Sequence, residues 1–465
     1  MRPDELAFAS ALEQAELVRR GEVGPVELVE LYLERIDALN PRLDAYLTVA
    51  ADHALEIARE KEQAGSEHDR PPFDGVPIAI KDLNNTAGIR TTMGSAQWRD
   101  RVPDFDDWVV ARLKAAGFVI LGKTNTPEFG SRPTTESPGY PPARNPWDRD
   151  RSAGGSSGGA AAALAAGLCP IAQGSDGGGS IRIPAAWCGL FGMKAARGRV
   201  SSAPGSQSFN SCNGVLTRTV ADSAAALDTI AGPAPGDAWW APIPERPFAA
   251  EVGTEPGPLR VAFTTAHPVE GCEVEPAWSD AVASTAALLE QLGHEVVEDE
   301  PERFDTASAA AAVAGSIAAG ELPPIETLDP VNQTIITIAQ GSTAVDAAEA
   351  MIGIQAWARR IAPFFDRYHT LLTPTLAARP PRIGEDIMSA GSFEQLLEVT
   401  RVIAFTPPWN QSGQPAMAVP AGFDADGLPV SVQFVGRPAD EATLFRLAAQ
   451  LEAARPWADA RPPIS

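Results

Sequence analysis

Two clusters of glycine and serine, at residues 154–159 and 174–180, constrain the fold of this chain more than any other feature. Glycine is unfavourable inside helices and strands, so such clusters indicate backbone that turns sharply or closely approaches another group. Between them lie an alanine-rich run that ends at Gly167 and a short apolar run at 169–172. We predict a helix capped by Ser156 or Ser157, with Gly167 just past its end, and then a buried strand at 169–172. This order brings both clusters, including Ser180, to one edge of a sheet, near a helix N-terminus that favours negative charge.

Other interpretations of a glycine-rich segment fit this sequence less well. A flexible linker is disfavoured because the flanks are apolar and Trp187, Leu190 and Phe191 follow the second cluster. A phosphate-binding P-loop would end in Gly-Lys-Ser/Thr, and a dinucleotide fingerprint needs glycines at fixed offsets with an acid further on. The sequence satisfies neither pattern.

Composition limits the partners and the compartment. The chain has 465 residues, of which 44% are hydrophobic, which is enough to bury a large core. Its net charge of -23 argues against nucleic acid or an anionic membrane as partner. The N-terminus does not resemble a signal peptide and no apolar run is long enough to span a bilayer, so we expect a cytoplasmic protein. Histidine and cysteine spacing predicts neither a metal site nor a cofactor.

The pattern along the chain predicts an α/β fold. The segment GVPIAIKDL at 75–83 alternates like a strand that ends near Lys81, and a helix at 107–117 precedes the strand FVILG. Earlier helices are predicted at 25–40, ended by Pro41, and at 46–65, and alanine-rich helix is predicted from about 305 to 367. Strands that alternate with helices through short loops predict a single large domain with a mixed, mostly central β-sheet, covered by helices on both faces.

Lysine is rare in this chain, with five lysines among 37 basic residues, and Lys81 ends a predicted strand in apolar company. It either extends its amine to water or is desolvated, in which case its pKa falls from about 10.4 towards neutrality and it becomes a usable base. The five histidines lie outside the glycine-rich and strand-terminal motifs, which weakens the case for a Ser-His-Asp triad. A serine nucleophile would then use lysine as its base.

These motifs resemble those of the amidase signature family. GVPIAIKD, GKTN, GGSSGG and GSDGGGSIRIPA occur in the family's order, and Ser156 and Ser180 are 24 residues apart, as are its two serines. The resemblance extends from about Ala15 through SGQPAMAVPAG and LPVSVQFVGR. One departure is the uninterrupted run of three glycines at 177–179, where many members carry a side chain.

The resemblance implies a Ser-cisSer-Lys triad. Ser180 would be the nucleophile, Ser156 the bridging serine on a cis peptide, and Lys81 a base that starts neutral. The remaining implied site residues are the oxyanion-hole backbone at Gly177, Gly178, Gly179 and Ser180, the supporting Asp176, Arg182, Ser157 and Ser175, and the substrate-binding Glu128, Phe129 and Gly130, with Trp409 as an aromatic candidate.

As an amidase domain, 1–465 would divide into an N-terminal helical segment (1–70), a catalytic core (71–230), a more variable, helix-rich lobe (259–400) and a C-terminal return to the core sheet (401–465). The implied function is hydrolysis of a carboxamide C–N bond, other than a peptide bond, in linear or cyclic amides through an acyl-serine. The alternative is the amidase-type subunit of a glutamine-dependent tRNA amidotransferase. For the first, we expect a small-molecule amide substrate and a monomer or homodimer.

Overall fold

Eleven strands form one mixed β-sheet in the computed structural model, which describes residues 1–64, 70–205, 209–304, 322–385 and 401–465. The strands are β1 (Tyr46–Val49), β2 (Pro77–Lys81), β3 (Val119–Thr124), β4 (Ala172–Asp176), β5 (Phe191–Lys194), β6 (Cys212–Thr217), β7 (Arg260–Phe263), β8 (Glu295–Glu298), β9 (Thr370–Pro374), β10 (Ala416–Phe423) and β11 (Pro429–Gly436). Their order in the sheet is β1-β3-β2-β4-β6-β5-β10-β11-β9-β7-β8. Strands β3, β2 and β4 are parallel, whereas β4, β6, β5, β10, β11 and β9 pair in antiparallel fashion.

Helices pack on both faces of this sheet. They are α1 (Pro3–Phe8), α2 (Ala11–Arg19), α3 (Pro25–Leu43), α4 (Ala51–Gln63), α5 (Trp108–Ala115), α6 (Gly158–Ala165), α7 (Arg182–Cys188), α8 (Val220–Ile230), α9 (Pro276–Gln291), α10 (Pro330–Gly341), α11 (Ala344–Arg367), α12 (Pro407–Ser412) and α13 (Glu441–Ala454). No helix in these described ranges is long and apolar enough to cross a membrane.

Strand β2 contributes side chains to the hydrophobic clusters on both faces of the sheet. Ile78 and Ile80 are buried in one hydrophobic cluster with residues of α5, α8, α9 and α13. Ala79 belongs to a second cluster with residues of α3, α4 and α6. Because side chains alternate across a strand, the two clusters lie on opposite sides of the sheet. The predicted α/β domain, with one mixed sheet between helical layers, is confirmed.

Helix α6 is buried along its whole length. Its alanines allow it to pack closely on the sheet, and Gly159 allows an even closer approach. A Cβ at Gly159 would lie 2.3 Å from the backbone nitrogen of Asn125 and 2.5 Å from the carbonyl oxygen of Ala45. The first glycine-serine cluster therefore starts a helix that is pressed against the loop after β3.

Three local predictions are wrong. The strand predicted at 169–172 starts at Ala172 and continues to Asp176, because pairing with β6 extends it through the second cluster. The helix predicted at 46–65 is replaced by β1 and α4, since Tyr46–Val49 pairs with β3, so the 1–70 segment is not entirely helical. Helix α3 continues past Pro41 to Leu43, and Asp44 ends it in a left-handed conformation. Of the predicted alanine-rich helix, residues 305–321 lie outside the described residues. Residues 330–341 and 344–367 are helical, as α10 and α11, whereas 322–329 form no α-helix.

Replacing Gly159 should destabilise the protein although alanine is the better helix former. We expect Gly159→Ala to cost about 1–3 kcal/mol of unfolding free energy, because its Cβ would overlap backbone atoms. Gly341→Ala is the matched control, since Gly341 ends α10 and a Cβ added there would meet no atom within 4 Å. Gly341→Ala should raise the free energy of unfolding by no more than about 1 kcal/mol. Urea unfolding measures both, and equal effects would contradict the close packing of α6.

Candidate active site

Lys81 lies at the end of β2 with its side chain fully buried. Its Nζ is 2.7 Å from Ser156 Oγ and 3.1 Å from Ser175 Oγ. Burial lowers the pKa of the Lys81 amine to about 7, although the nearby Asp176 carboxylate raises it in part. The sequence alone left open whether this amine reaches water, and the structure places it away from solvent beside two hydroxyl groups. A substantial fraction of Lys81 is therefore neutral at neutral pH.

The two glycine-serine clusters meet beside Lys81. The Gly155–Ser156 peptide bond is cis. Ser157 donates its backbone N–H to the carbonyl oxygen of Ser180, at 3.2 Å. The Ser157 hydroxyl also contacts the backbone oxygen of Ser175 at 3.3 Å. Ser180 is half-buried and follows the loop after β4, just before α7. The structure thus brings together the predicted Lys81, Ser156, Ser157, Ser175 and Ser180.

Asp176 and Arg182 form an ion pair on either side of Ser180, and both side chains are 0% exposed. Arg182 Nε and Nη2 donate to the two carboxylate oxygens at 3.0 and 2.9 Å. The rest of the guanidinium donates to Thr406, Gln433 and Asn410. Burial alone would raise the pKa of Asp176, but Arg182 holds it well below its usual range. Asp176 therefore stays ionised, and the pair fixes both ends of the segment that carries Ser180.

The glycine run 177–179 is held at each residue. Asn210 Nδ2 donates to the Gly177 carbonyl at 3.3 Å, and Thr406 Oγ1 donates to the Gly178 carbonyl at 2.7 Å. Gly179, also predicted as an oxyanion donor, donates its N–H to Asp176 Oδ1 at 2.7 Å, so in this structure that N–H already has an acceptor. The N–H groups of Gly177, Gly178 and Ser180 donate to no group in the described part of the chain. The loop thus presents these three donors.

The loop after β3 borders Ser156. A Cβ at Gly130 would lie 3.1 Å from Ser156 Oγ, so its backbone borders that hydroxyl. Phe129 has a positive φ of 53° and packs edge-on against Trp98. Glu128 is buried, and its carboxylate accepts hydrogen bonds from other protein groups. Of the three residues predicted to bind substrate, Gly130 lies against Ser156, and their contact with substrate stays a prediction.

Residues 27–445 match the sequence family described as Amidase. The chain belongs to the amidase signature family. It is 43% identical over 464 residues to a Synechocystis sp. protein to which an amidase function is attributed, covering 96% of this chain and 89% of that protein. It is 38% identical over 492 residues to the 6-aminohexanoate-cyclic-dimer hydrolase of Paenarthrobacter ureafaciens, covering 98% and 97% of the two proteins. A solved structure of a 6-aminohexanoate cyclic dimer hydrolase with substrate has 34% identity, a TM-score of 0.92 and coverage of 98% and 99%.

Two residues from the C-terminal part of the chain, Thr406 and Asn410, support this ion pair of the amidase and are not among the site residues predicted above. Asn410 Nδ2 donates to Asp176 Oδ1 and to the carbonyl oxygen of Asn210, each at 2.9 Å. Thr406 bonds both Arg182 and Gly178. Thr406 and Asn410 are the polar residues in an otherwise apolar stretch, AFTPPWN, and that contrast is the sequence signal that could have identified them.

This stretch also lines an apolar cavity of the amidase. Its wall includes the aromatic side chains of Phe304, Trp357, Phe405 and Trp409. Phe405 lines the cavity, whereas the hydroxyl of the next residue, Thr406, bonds the glycine run. Trp409, predicted as an aromatic pocket residue, therefore lines a cavity that adjoins the supports of the Ser180 loop.

Two further lysines of the amidase are buried. Lys123 donates to the carbonyl of Asn84 and to the hydroxyls of Thr86 and Thr91, which fixes the loop after β2. Lys194, in β5, donates to the carbonyl of Ala195 at 2.9 Å. Burial lowers the pKa of each amine to about 8. Lys81 is the buried lysine that touches the serine clusters.

Removing the charge of Asp176 should destabilise the amidase strongly. We expect Asp176→Asn to lose about 3–5 kcal/mol of unfolding free energy, because Arg182 would remain buried without a carboxylate. Glu295→Gln is the control, since the Arg260–Glu295 pair is exposed and should contribute at most about 1 kcal/mol. Urea unfolding at neutral pH compares the two variants. A loss for Asp176→Asn no larger than for the control would remove the bracing role of the pair.

Proposed function

We propose that this amidase hydrolyses a carboxamide through an acyl-serine intermediate, with Ser180 as nucleophile, Ser156 as bridge and Lys81 as base. The observation that carries the proposal is the 2.7 Å contact between Ser156 Oγ and a fully buried Lys81 amine. A lysine accepts a proton only when it is neutral, and burial lowers the pKa of this lysine to about 7.

In the proposed first step, neutral Lys81 accepts the proton of the Ser156 hydroxyl while Ser156 takes the proton of Ser180. Ser180 Oγ then forms a bond to the amide carbonyl carbon, and the carbonyl oxygen becomes an oxyanion. The N–H groups of Gly177, Gly178 and Ser180 are the donors assigned to it. Loss of one such donor typically raises the barrier by about 2.7–4 kcal/mol.

Collapse of the tetrahedral intermediate breaks the C–N bond. The proton held by Lys81 returns through Ser156 to the leaving nitrogen, which departs as an amine or ammonia. A water molecule then attacks the acyl-serine and gives up a proton to the same relay. As the ester bond breaks, the relay returns that proton to Ser180 Oγ, which restores Ser180 and neutral Lys81. The product leaves as a carboxylic acid, which loses its proton to water and becomes a carboxylate.

The supporting residues have separate roles in this proposal. Ser175 Oγ is the second oxygen near Lys81 Nζ and would stabilise the amine while it is protonated. Ser157 joins the two clusters through its bonds to Ser175 and Ser180. Asp176 and Arg182 hold the glycine run in place, so that its donors are oriented before substrate binds.

For the substrate, we propose an uncharged linear or cyclic carboxamide. The relatives named as hydrolases of 6-aminohexanoate cyclic dimer support a cyclic amide as one candidate. The apolar cavity next to Thr406 supports an apolar substituent on the substrate. The cytoplasmic location and the monomeric or homodimeric state stay predictions.

The tRNA amidotransferase subunit remains the alternative. Such a subunit would need a partner chain, whereas the proposed amidase should act alone. Amide hydrolysis by the isolated chain decides for the proposal, and activity that appears only with a co-purified partner decides against it.

Labelling with a fluorophosphonate tests the nucleophile. We expect a single adduct that maps to Ser180 by peptide mass, because an activated serine attacks phosphorus as it attacks an amide carbonyl. Ser180→Ala should lose the adduct and lower kcat at least about 10⁴-fold. Ser284→Ala, an exposed position on α9, should keep both. An adduct at another serine, or its persistence in Ser180→Ala, would contradict the assignment.

The pH profile tests the base. Lys81 must be neutral to act, so kcat/KM should fall about tenfold per pH unit as the pH drops below about 7. Lys81→Ala should lower kcat by about 10²–10⁴-fold. Lys61→Ala, which alters an amine paired with Asp74 away from the serines, should keep the wild-type profile. Retention of most activity in Lys81→Ala, or a flat profile from about pH 5 to about pH 9, would exclude lysine as the base.

A further inference from the structure

The carboxylate of Glu128 organises a buried polar cluster next to the proposed site. Oε1 accepts the hydroxyl of Ser95 at 2.7 Å. Oε2 accepts the backbone N–H of Asp329 and the side-chain amide of Asn332, both at 2.9 Å. The same amide group also donates to the Glu128 carbonyl at 3.2 Å. All four residues are buried. These hydrogen bonds occupy both carboxylate oxygens of Glu128.

This cluster joins two distant parts of the chain. Glu128 precedes by two residues Gly130, whose backbone borders Ser156 Oγ. Asp329 caps the N-terminus of α10, and Asn332 lies in its first turn. A second link runs in parallel, because Arg132 and Asp329 form an ion pair of 2.7 Å with both side chains buried. The start of α10 is therefore attached to the loop at 128–132.

We propose that Glu128 is a positioning residue that docks α10 beside Ser156 and thereby makes the helix-rich lobe a wall of the substrate site. The inference rests on the proposed amide hydrolysis and adds to it a determinant of substrate choice. Glu128 does not contact substrate in this view, since its oxygens are already occupied. It acts through the position of α10, which limits the size of the group that can lie against the catalytic serines.

Charge explains why the pairing is specific. Glu128 contributes a carboxylate to the cluster, and the neutral side-chain amide of Asn332 donates a hydrogen bond to it. Changing Asn332 to aspartate would place two carboxylates at this contact, near the Asp329 carboxylate. Like charges in a buried site repel strongly, so the start of α10 should move away from the loop. Exchanging the two residue types restores one acid and one amide.

The test compares Asn332→Asp, Glu128→Gln and the double variant Glu128→Gln/Asn332→Asp. Glu326→Gln is the matched control, because Glu326 is exposed in the turn just before α10. For each variant, kcat/KM is measured with acetyl and octanoyl p-nitroanilide, an acyl pair that differs in length. The ratio of the two values reports the shape of the site, whereas a loss of folded protein lowers both equally.

We expect Asn332→Asp to change the octanoyl-to-acetyl ratio by about tenfold, and the double variant to return it to within about threefold of wild type. Glu326→Gln should match wild type. An unchanged ratio in Asn332→Asp, or a double variant no closer to wild type than Asn332→Asp, would overturn the positioning role. If Asn332→Asp does not fold, Asn332→Ala replaces it and the same change in ratio is expected.

Hydrogen–deuterium exchange separates this inference from the proposed function. If wild type hydrolyses neither anilide, a wider amide panel tests the hydrolysis itself, while the docking can still be measured. Asn332→Asp should then speed exchange in 330–336 and 126–132, and the double variant should reverse that change. Exchange that is unchanged in both segments would overturn the docking of α10 by Glu128.

Discussion

The buried ion pair between Asp176 and Arg182 is the interaction on which the rest of the site depends. It joins the end of β4 to the start of α7, and Arg182 and Asn410 extend it to α12 and β11. A charged pair without solvent contact is stable only when nearly every donor and acceptor is satisfied, and the five N–H groups of Arg182 all have acceptors. The Ser180 loop can therefore be rich in glycine and still be fixed, because its order comes from the surrounding contacts and not from its own side chains.

The sheet itself places Lys81, the proposed base, near this pair. Strands β2 and β4 are parallel neighbours, so Lys81 and Ser175 leave the sheet at the same edge. The first glycine-serine cluster lies at the start of α6 and not on a neighbouring strand. The small residues of α6 allow this helix to pack on the loop after β3. Three separate segments thus bring the buried Lys81 amine and the serines together. Burial lowers the pKa of this amine to about 7, as its proposed role as base requires.

The elements that the sequence predicted well are those whose pattern reflects local packing. Ile78 and Ile80 alternate with residues of other types in β2, and Gly117 follows the end of α5, so both elements could be predicted from spacing. Strands β1 and β4 could not. Each is defined by hydrogen bonds to strands far away in the chain, and β4 contains Gly174 and Ser175, which have little tendency to form strands alone. Pairing with β6 overrides that local tendency.

The same distinction applies to the site. The motifs predicted that Lys81 and the two glycine-serine clusters lie together, and the structure shows this contact. The resemblance supplied the proposed roles of Ser156 and Ser180 and the ion pair beside them. The commitment of the Gly179 N–H to Asp176 could not be predicted, because it depends on the turn that the ion pair imposes. The contacts of Glu128 could not be predicted either. Two of its hydrogen-bond donors lie about 200 residues further along the chain, and they reach Glu128 only through the position of α10 in the fold.

The burial of three lysines also determines how this protein responds to amine chemistry. Lys81, Lys123 and Lys194 are buried, so of the five lysines in the sequence only Lys61 and Lys114 reach solvent, and each is paired with an aspartate. Reagents that acylate amines or form imines can therefore react with two lysine side chains and the N-terminal amine. The other cationic side chains on the surface are arginines, which these reagents do not modify in the same way. Attachment to an amine-reactive support would occur at few positions and in few orientations, with the Lys81 amine shielded inside the fold.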